Sequence, residues 1–198
     1  MEKDLFFVRH GLIRSNVQDI YSGRSNEELT QSGLECADQL GHEIEGWGIT
    51  VIYTSPLTRT LQTAEALNRH INARLILEPK LLEMDLGPWT GLSKAEVALK
   101  YPLAYKSWVE TPGEFNFDSM ETLRDIQRRT ISAVNVFLDG DRDRAGIMVT
   151  HAAVIKVAFL YFNNLDLNSY HSVSVPNLCV YRIGFNKEIS FPRVVRVK

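Results

Sequence analysis

The chain has 198 residues, 44% hydrophobic and 23% charged, which suits one ordinary globular domain with a full core. A formal net charge of −2 gives no reason to invoke nucleic acid or a membrane surface as a partner. No apolar run approaches the length of a membrane span and the first residues lack a signal-peptide pattern, so a cytoplasmic location is expected.

In chain order, a strand over 5–9 ends in Arg9-His10-Gly11, and helix 31–46 and strand 49–54 follow. Next, Ser55 is placed to cap a helix over 57–70, Pro56 suits its first turn, and Arg59 falls in that turn near backbone N–H groups that favour anions. After a strand at 74–77 comes a long segment to 118, with short helices near 93–100 and 102–108. It begins with the glycine-containing loop Leu82–Gly91, which carries Glu83 and Asp85. Helix 119–138, strand 146–150 and helix 152–163 lead to two closing strands, 178–184 and 189–197, joined as a hairpin through Gly184-Phe185-Asn186-Lys187. Strands alternating with helices argue for a three-layer α/β/α sandwich around a mostly parallel sheet. No repeat, low-complexity tract or linker interrupts residues 1–198, which read as a single domain.

The chemistry-bearing residues gather at strand ends, where open α/β sheets bind their ligands. Arginine is a planar, permanently charged donor suited to phosphate oxygens, and histidine can be a neutral nucleophile near pH 7. Arg9-His10 ends the first strand and Thr150-His151 ends the fourth, so one arrangement occurs twice. A phosphate monoester needs an in-line nucleophile and neutralised equatorial oxygens. His10 is the candidate nucleophile, and Arg9, Arg59 and His151 are candidates to hold the phosphoryl group, with His151 acting either charged or as a donor. Cys36 and Cys179, far apart and without metal-ligand spacing, read as buried thiols, and neither a metal nor a cofactor is expected.

Several stretches together resemble the histidine phosphatase superfamily, the phosphoglycerate mutase-like fold. They are Arg9-His10-Gly11 with Asn16, the linker Tyr21 to Gly33, Ser55-Pro56-Leu57 with Arg59 and Gln62-Thr63-Ala64, Glu83 with Gly87, Trp89 and Gly91, and Thr150-His151. Met120-Glu121-Thr122 leading to Arg129 is a weaker match. The resemblance implies a metal-independent phosphomonoester hydrolase acting on a small phosphorylated metabolite through a phosphohistidine. It assigns catalysis to His10, Glu83, His151, Arg9 and Arg59, and phosphate binding to Arg9, Asn16, Gly23, Arg59 and His151. Glu83 aligns with the family's general acid, and Asp85, two residues on, is its rival. Asn16 is either an amide contact to the phosphoryl group or a helix cap. Ile13 replaces a threonine of many members, and Ala152-Ala153 replaces a glycine pair.

The resemblance also implies a cap at about 78–118 whose side chains select the substrate. From Leu75 to Leu123 there is no arginine, but there are Trp89, Tyr101, Tyr105, Trp108, Phe115 and Phe117, readable as substrate contacts or as core. Phosphoglycerate mutases carry a longer, arginine-bearing insertion, so a phosphatase is favoured. Lys94, Lys100 and Lys106 keep mutase-type phosphoryl transfer as an alternative. The short chain is similar to bacterial α-ribazole phosphatases, and a non-catalytic phosphate-binding module is a further alternative. His42, His70 and His171 read as structural, with His171 a lesser candidate for the site. Arg193, Arg196 and Lys198 read as charges blunting an edge strand. A homodimer through apolar helix faces is left open.

Overall fold

The structure is a computed structural model, described here over residues 3–140, 142–185 and 194–198. Six strands form one sheet: β1 (Lys3–Arg9), β2 (Val51–Thr54), β3 (Arg74–Leu77), β4 (Ala145–Thr150), β5 (Val180–Phe185) and β6 (Val194–Arg196), in the order β3-β2-β4-β1-β5-β6. The β1–β4, β4–β2 and β2–β3 pairs are parallel, and β5 and β6 add on antiparallel.

Both faces of the sheet are covered, which explains why Leu5-Phe6-Phe7-Val8 is apolar without alternation. Phe6 and Val8 pack with Ile147, Val149, Leu40 and Leu67 on the side of α2 (Gln31–Glu43) and α3 (Thr58–Ile71). Leu5, Phe7 and Met148 point the other way, into the cluster formed with α6 (Leu123–Asp139) and α7 (Ala152–Phe162). The three-layer sandwich expected from the alternation of elements is therefore the observed architecture.

The register that matters for the site pairs Arg9 with Thr150 and Thr54 with Val149. His10 and His151 are thus the next residues on two neighbouring parallel strands, and Ser55 follows on the third. A short α1 (Arg14–Val17) comes after the first of these ends.

Several boundaries differ from expectation. Helix α2 stops at Glu43 and gives way to a tight turn over Glu45–Trp47, after which Gly48 adopts a left-handed φ of 69°. Strand β2 starts two residues late, because Thr50 bonds Asp143 and the Ala145 carbonyl at 2.8 and 3.1 Å. Helix α6 starts at Leu123 rather than 119, capped by the Thr122 side chain, which accepts from the Asp125 N–H. Ser55 is not the cap of α3. That helix begins after Leu57, and its Thr58 N–H donates 2.8 Å to the side chain of the distant Asn26. Cys179 is buried as expected, whereas Cys36 is exposed.

The remainder of the predicted hairpin, with residues 186–193 and Arg193, lies outside the described residues. Strand β6 forms an edge of the sheet, where the Arg196 side chain donates to the Lys198 carbonyl and Lys198 pairs with Glu43. Among the described residues no helix is long and apolar enough to cross a membrane.

Between β3 and α6 the chain makes α4 (Lys94–Lys100) and α5 (Pro102–Glu110). They are tied down by Trp89, which is fully buried, with the rings of Tyr21, Phe115 and Phe117 5.4–6.1 Å away and Tyr105 and Trp108 slightly further. Trp89, Trp108 and Phe115 are therefore core, and Tyr101, Tyr105 and Phe117 pack against them half-buried. The same cluster holds the loop that carries Glu83 against the rest of the molecule.

Candidate active site

The β1 and β4 ends place the His10 and His151 rings 5.3 Å apart, both buried. His10 Nδ1 lies 2.8 Å from the Gly11 carbonyl oxygen. A carbonyl can only accept, so Nδ1 carries the proton and Nε2 is left with its lone pair. Burial holds the His10 pKa well below that of ordinary histidine, and the positive charges of Arg9 and Arg59 depress it further. His10 is therefore a neutral imidazole whose Nε2 carries the lone pair.

The loop after His10 is pinned on several sides. The Gly11 N–H donates 3.0 Å to Thr63 Oγ1, and Asn177 Nδ2 donates to the His10 and Gly11 carbonyls. A Cβ on Gly11 would lie 2.8 Å from the Gly33 carbonyl oxygen, so only glycine allows this approach of the loop to α2.

His151 receives a 3.3 Å contact at Nδ1 from Arg59 Nε, which can only donate. The proton is thus on Nε2, which donates 2.9 Å to Ser55 Oγ. Burial is the first cause lowering its pKa, followed by Arg59. In this arrangement the ring is neutral and its one N–H is directed at Ser55. Ser55, displaced from its expected capping role, serves as the partner of this histidine.

Arg59 is fully buried, and its two terminal nitrogens donate to the Ser25 and Gly23 carbonyls at 2.6 and 2.7 Å. Gly23, at φ 47°, thus meets the site through a carbonyl held by arginine. Arg9 donates 2.7 Å to the Val175 carbonyl, while its Nε is buried without a hydrogen-bond partner. A buried guanidinium with an unused donor is chemically suited to an anion.

A cavity of about 380 Å³ adjoins these groups, lined by Arg9, Asn16, Asp19, Gly23, Glu83, Lys94, Trp108, Ala153 and Tyr170 among others. His10, Arg59 and His151 are not part of that lining. Each is bonded to or adjacent in sequence to a residue that is. Glu83 Oε1 accepts from the Met84 and Ala153 N–H groups at 2.9 and 3.3 Å, so the carboxylate sits at the start of α7. Asp85 is outside the lining; its carboxylate meets Arg24 and the Gly87 N–H. Asn16 faces the cavity with its Oδ1 held by Asn177 at 2.9 Å.

Of the three lysines considered, Lys94 lines the cavity, paired at 2.6 Å with Asp19. Lys100 sits over the Tyr101 ring and Lys106 faces Glu110. His171 is also outside the lining and donates 2.8 Å to the Trp108 carbonyl. His42 and His70 lie on α2 and α3 beside Glu45 and Asp38. Asn177, Asp19 and Tyr170 were not singled out from the sequence, since no local pattern marks a residue whose place depends on distant pairing.

The model of the histidine phosphatase superfamily, branch 1, matches residues 5–196. The chain belongs to that superfamily. The chain is 30% identical to phosphoserine phosphatase 1 of Hydrogenobacter thermophilus over 87% of its own length and 82% of the relative's. Further relatives carry the names of phosphoserine phosphatases and phosphoglycerate mutases alike. Among solved structures, YhfR of Bacillus stearothermophilus superposes with a TM-score of 0.89 at 26% identity, covering 98% of this chain and 95% of that one. An α-ribazole-5'-P phosphatase structure from Escherichia coli, described as putative, has a TM-score of 0.87 at 20% identity, covering 98% and 96%, and shares the fold. The chain is thus an enzyme of the phosphatase class, with the phosphoglycerate mutase-like fold.

Proposed function

We propose that the protein is a metal-independent phosphomonoester hydrolase that works through a phosphohistidine at His10 and acts on a small, acid-bearing phosphate ester. The observation that carries this reading is the His10 tautomer. Nε2 has a free lone pair, depressed basicity keeps it unprotonated, and two guanidiniums stand beside it. In the first step Nε2 attacks phosphorus and the ester P–O bond breaks. Arg9, Arg59 and His151, whose Nε2–H exchanges Ser55 Oγ for a phosphoryl oxygen when the ester binds, bear the charge on the equatorial oxygens. Glu83, protonated for this step, gives its proton to the leaving alkoxide. The resulting carboxylate then takes a proton from water as that water attacks phosphorus, the P–N bond breaks, and phosphate leaves with His10 neutral again.

Two observations favour water as the acceptor over a second substrate hydroxyl. Beyond Arg9, the only cationic side chain lining the cavity among the described residues is Lys94, which is already paired with Asp19. A mutase must hold a substrate bearing two phosphate or carboxylate groups while it is rephosphorylated, and the arginines for that second grip are not in the 75–123 segment. The Lys94–Asp19 pair itself suits an ester whose distal end carries both a carboxylate and an ammonium, as in phosphoserine. The likeness to phosphoserine phosphatase 1 agrees with this; the α-ribazole reading is supported by shared fold alone.

Phosphate release is measured from phosphoserine, 3-phosphoglycerate, 2,3-bisphosphoglycerate, α-ribazole phosphate and p-nitrophenyl phosphate, with a chelator present and His10→Ala as control. Chelator-resistant turnover that vanishes in His10→Ala, with an acid-labile phosphoenzyme trapped only in the wild type, is expected. Transfer to phosphoglycerate in place of release would establish the mutase. Tight binding of the esters by both proteins, without turnover, would establish a binding module.

A further inference from the structure

The weakest sequence match, Glu121 with Arg129, folds into a contact that the chemistry above leaves unused. Glu121 is a carboxylate only 15% exposed. It accepts from Arg129 at both Nε and Nη2, at 2.7 and 2.9 Å, and from Arg24 Nη2 at 3.1 Å. Charge-assisted, forked bonds of this kind fix orientation as well as distance.

One donor from each arginine converges on a single carbonyl, and Arg24 Nη1 reaches the Asp85 carboxylate at 3.3 Å. Arg24 Nε and Arg129 Nη2 donate to the backbone carbonyl of Glu83, at 3.1 and 3.3 Å. Arg129 Nη1 also binds the Lys80 carbonyl at 2.6 Å, and the Glu121 N–H donates 3.0 Å to the Asp85 carbonyl. The strap from residue 80 to 85 is therefore held from behind on both sides of Glu83, while the Glu83 carboxylate is held in front by the Met84 and Ala153 N–H groups. Arg24 also lies between Gly23 and Ser25, whose carbonyls grip Arg59. One short segment thus ties the phosphate-side arginine to the peptide of the acid.

We propose that Glu121, acting through Arg24 and Arg129, is a positioning residue that sets the reach of Glu83 toward the leaving group. The inference rests on Glu83 being the general acid. Glu121 touches neither substrate nor reacting atoms, so its loss acts through misplacement. A displacement of about 1 Å at an acid costs about 10²-fold in rate.

The readout is leaving-group dependence. An alkoxide needs a proton to depart, whereas p-nitrophenolate leaves as a stable anion, so a misplaced acid harms alkyl esters selectively. Glu121→Gln and, because Arg24 is the more exposed partner, Arg24→Met are compared with wild type and Glu83→Gln. kcat/KM is measured for phosphoserine and p-nitrophenyl phosphate. Both variants are expected to lose about 10²-fold more kcat/KM on the alkyl ester than on the aryl ester. Adding Glu121→Gln to Glu83→Gln should cost nothing further, because the two act as a unit.

If Glu83→Gln shows the alkyl-selective loss but Glu121→Gln and Arg24→Met lower both esters equally, or neither, the positioning role is wrong and the acid assignment stands. If Glu83→Gln itself shows no selectivity, the acid assignment fails and takes the positioning role with it.

Discussion

An ammonium and a carboxylate held 2.6 Å apart but 53% and 67% exposed contribute little to stability, so the Lys94–Asp19 pair is best understood by its place at the solvent side of the cavity. A substrate bearing both a carboxylate and an amine would exchange this internal pair for two external ones, carboxylate to Lys94 and ammonium to Asp19. A substrate bearing only a carboxylate would find Asp19 a repulsive neighbour. Lys94→Ala is accordingly expected to raise KM for phosphoserine about tenfold more than for p-nitrophenyl phosphate, equivalent to about 1.4 kcal/mol. Asp19→Asn should have opposite effects on two esters, raising KM for phosphoserine and lowering it for 3-phosphoglycerate. The exchange is structurally mild, since Asp19 has φ 55°, a left-handed conformation that asparagine also tolerates. Steady-state KM values for the three esters decide the matter, and parallel changes across all of them would remove the pair from substrate selection.

At the scale of elements, the site depends on three parallel strand ends and on the start of α3, which brings Arg59 to Gly23 at the cavity lining. That start has no local cap: Thr58 N–H and Oγ1 both lie 2.8 Å from Asn26 Oδ1, across the loop that Arg59 itself grips. Asn26→Ala is expected to cost about 1 kcal/mol, the usual value of a lost N-cap, read as a lowered urea midpoint at unchanged m. An unchanged midpoint would show that the contact is idle. Asn26 also marks the boundary of what the sequence makes legible. The apolar runs Leu5-Phe6-Phe7-Val8 and Ile147-Met148-Val149 declare two-sided burial locally, and a histidine two positions after each declares its strand end. Alternation of the elements then implies the sandwich. By contrast, Asn26 replacing Ser55 as cap, Asn177 holding the His10 loop and Arg24 reaching Glu83 all join residues separated by 32 or more positions. No periodicity encodes such partners; they follow from the register of the sheet and the path of the loops. Glu121 shows the intermediate case, visible as a weak match yet without a role until its arginines are seen to share the Glu83 carbonyl.

For the molecule as a whole, assembling this site exacts a stability penalty that pH reveals. His10 and His151 are both buried, and burial first, then the neighbouring arginines, depress both pKa values well below 6.5. Above pH 6.5 neither the folded nor the unfolded state protonates them, and they are silent. As pH falls through 6.5 the unfolded chain binds protons that the folded chain refuses, so stability declines, by about 1.4 kcal/mol per pH unit for each histidine. Each histidine contributes its own proton in the unfolded chain, so the two together approach a slope of about 2.7 kcal/mol per unit well below pH 6. Lys156, buried beside Tyr170 with its pKa lowered to about 8, has the same sign at a higher window. Between pH 8 and the ordinary lysine range the unfolded chain again holds the extra proton, so its contribution makes stability rise with pH there. Exposed carboxylates held low by their partners, such as Asp38 and Asp125, add losses only in stronger acid. Chemical denaturation at pH 5.0, 6.0, 7.0 and 8.0 tests the histidine contribution. The wild type should lose stability steeply from 6 to 5, and His151→Gln should follow a slope about half as steep, whatever its absolute stability. A flat wild-type profile from pH 7 to 5 would mean that the folded site accepts protons as readily as the unfolded chain. That result would contradict the neutral His10 on which nucleophilic attack depends.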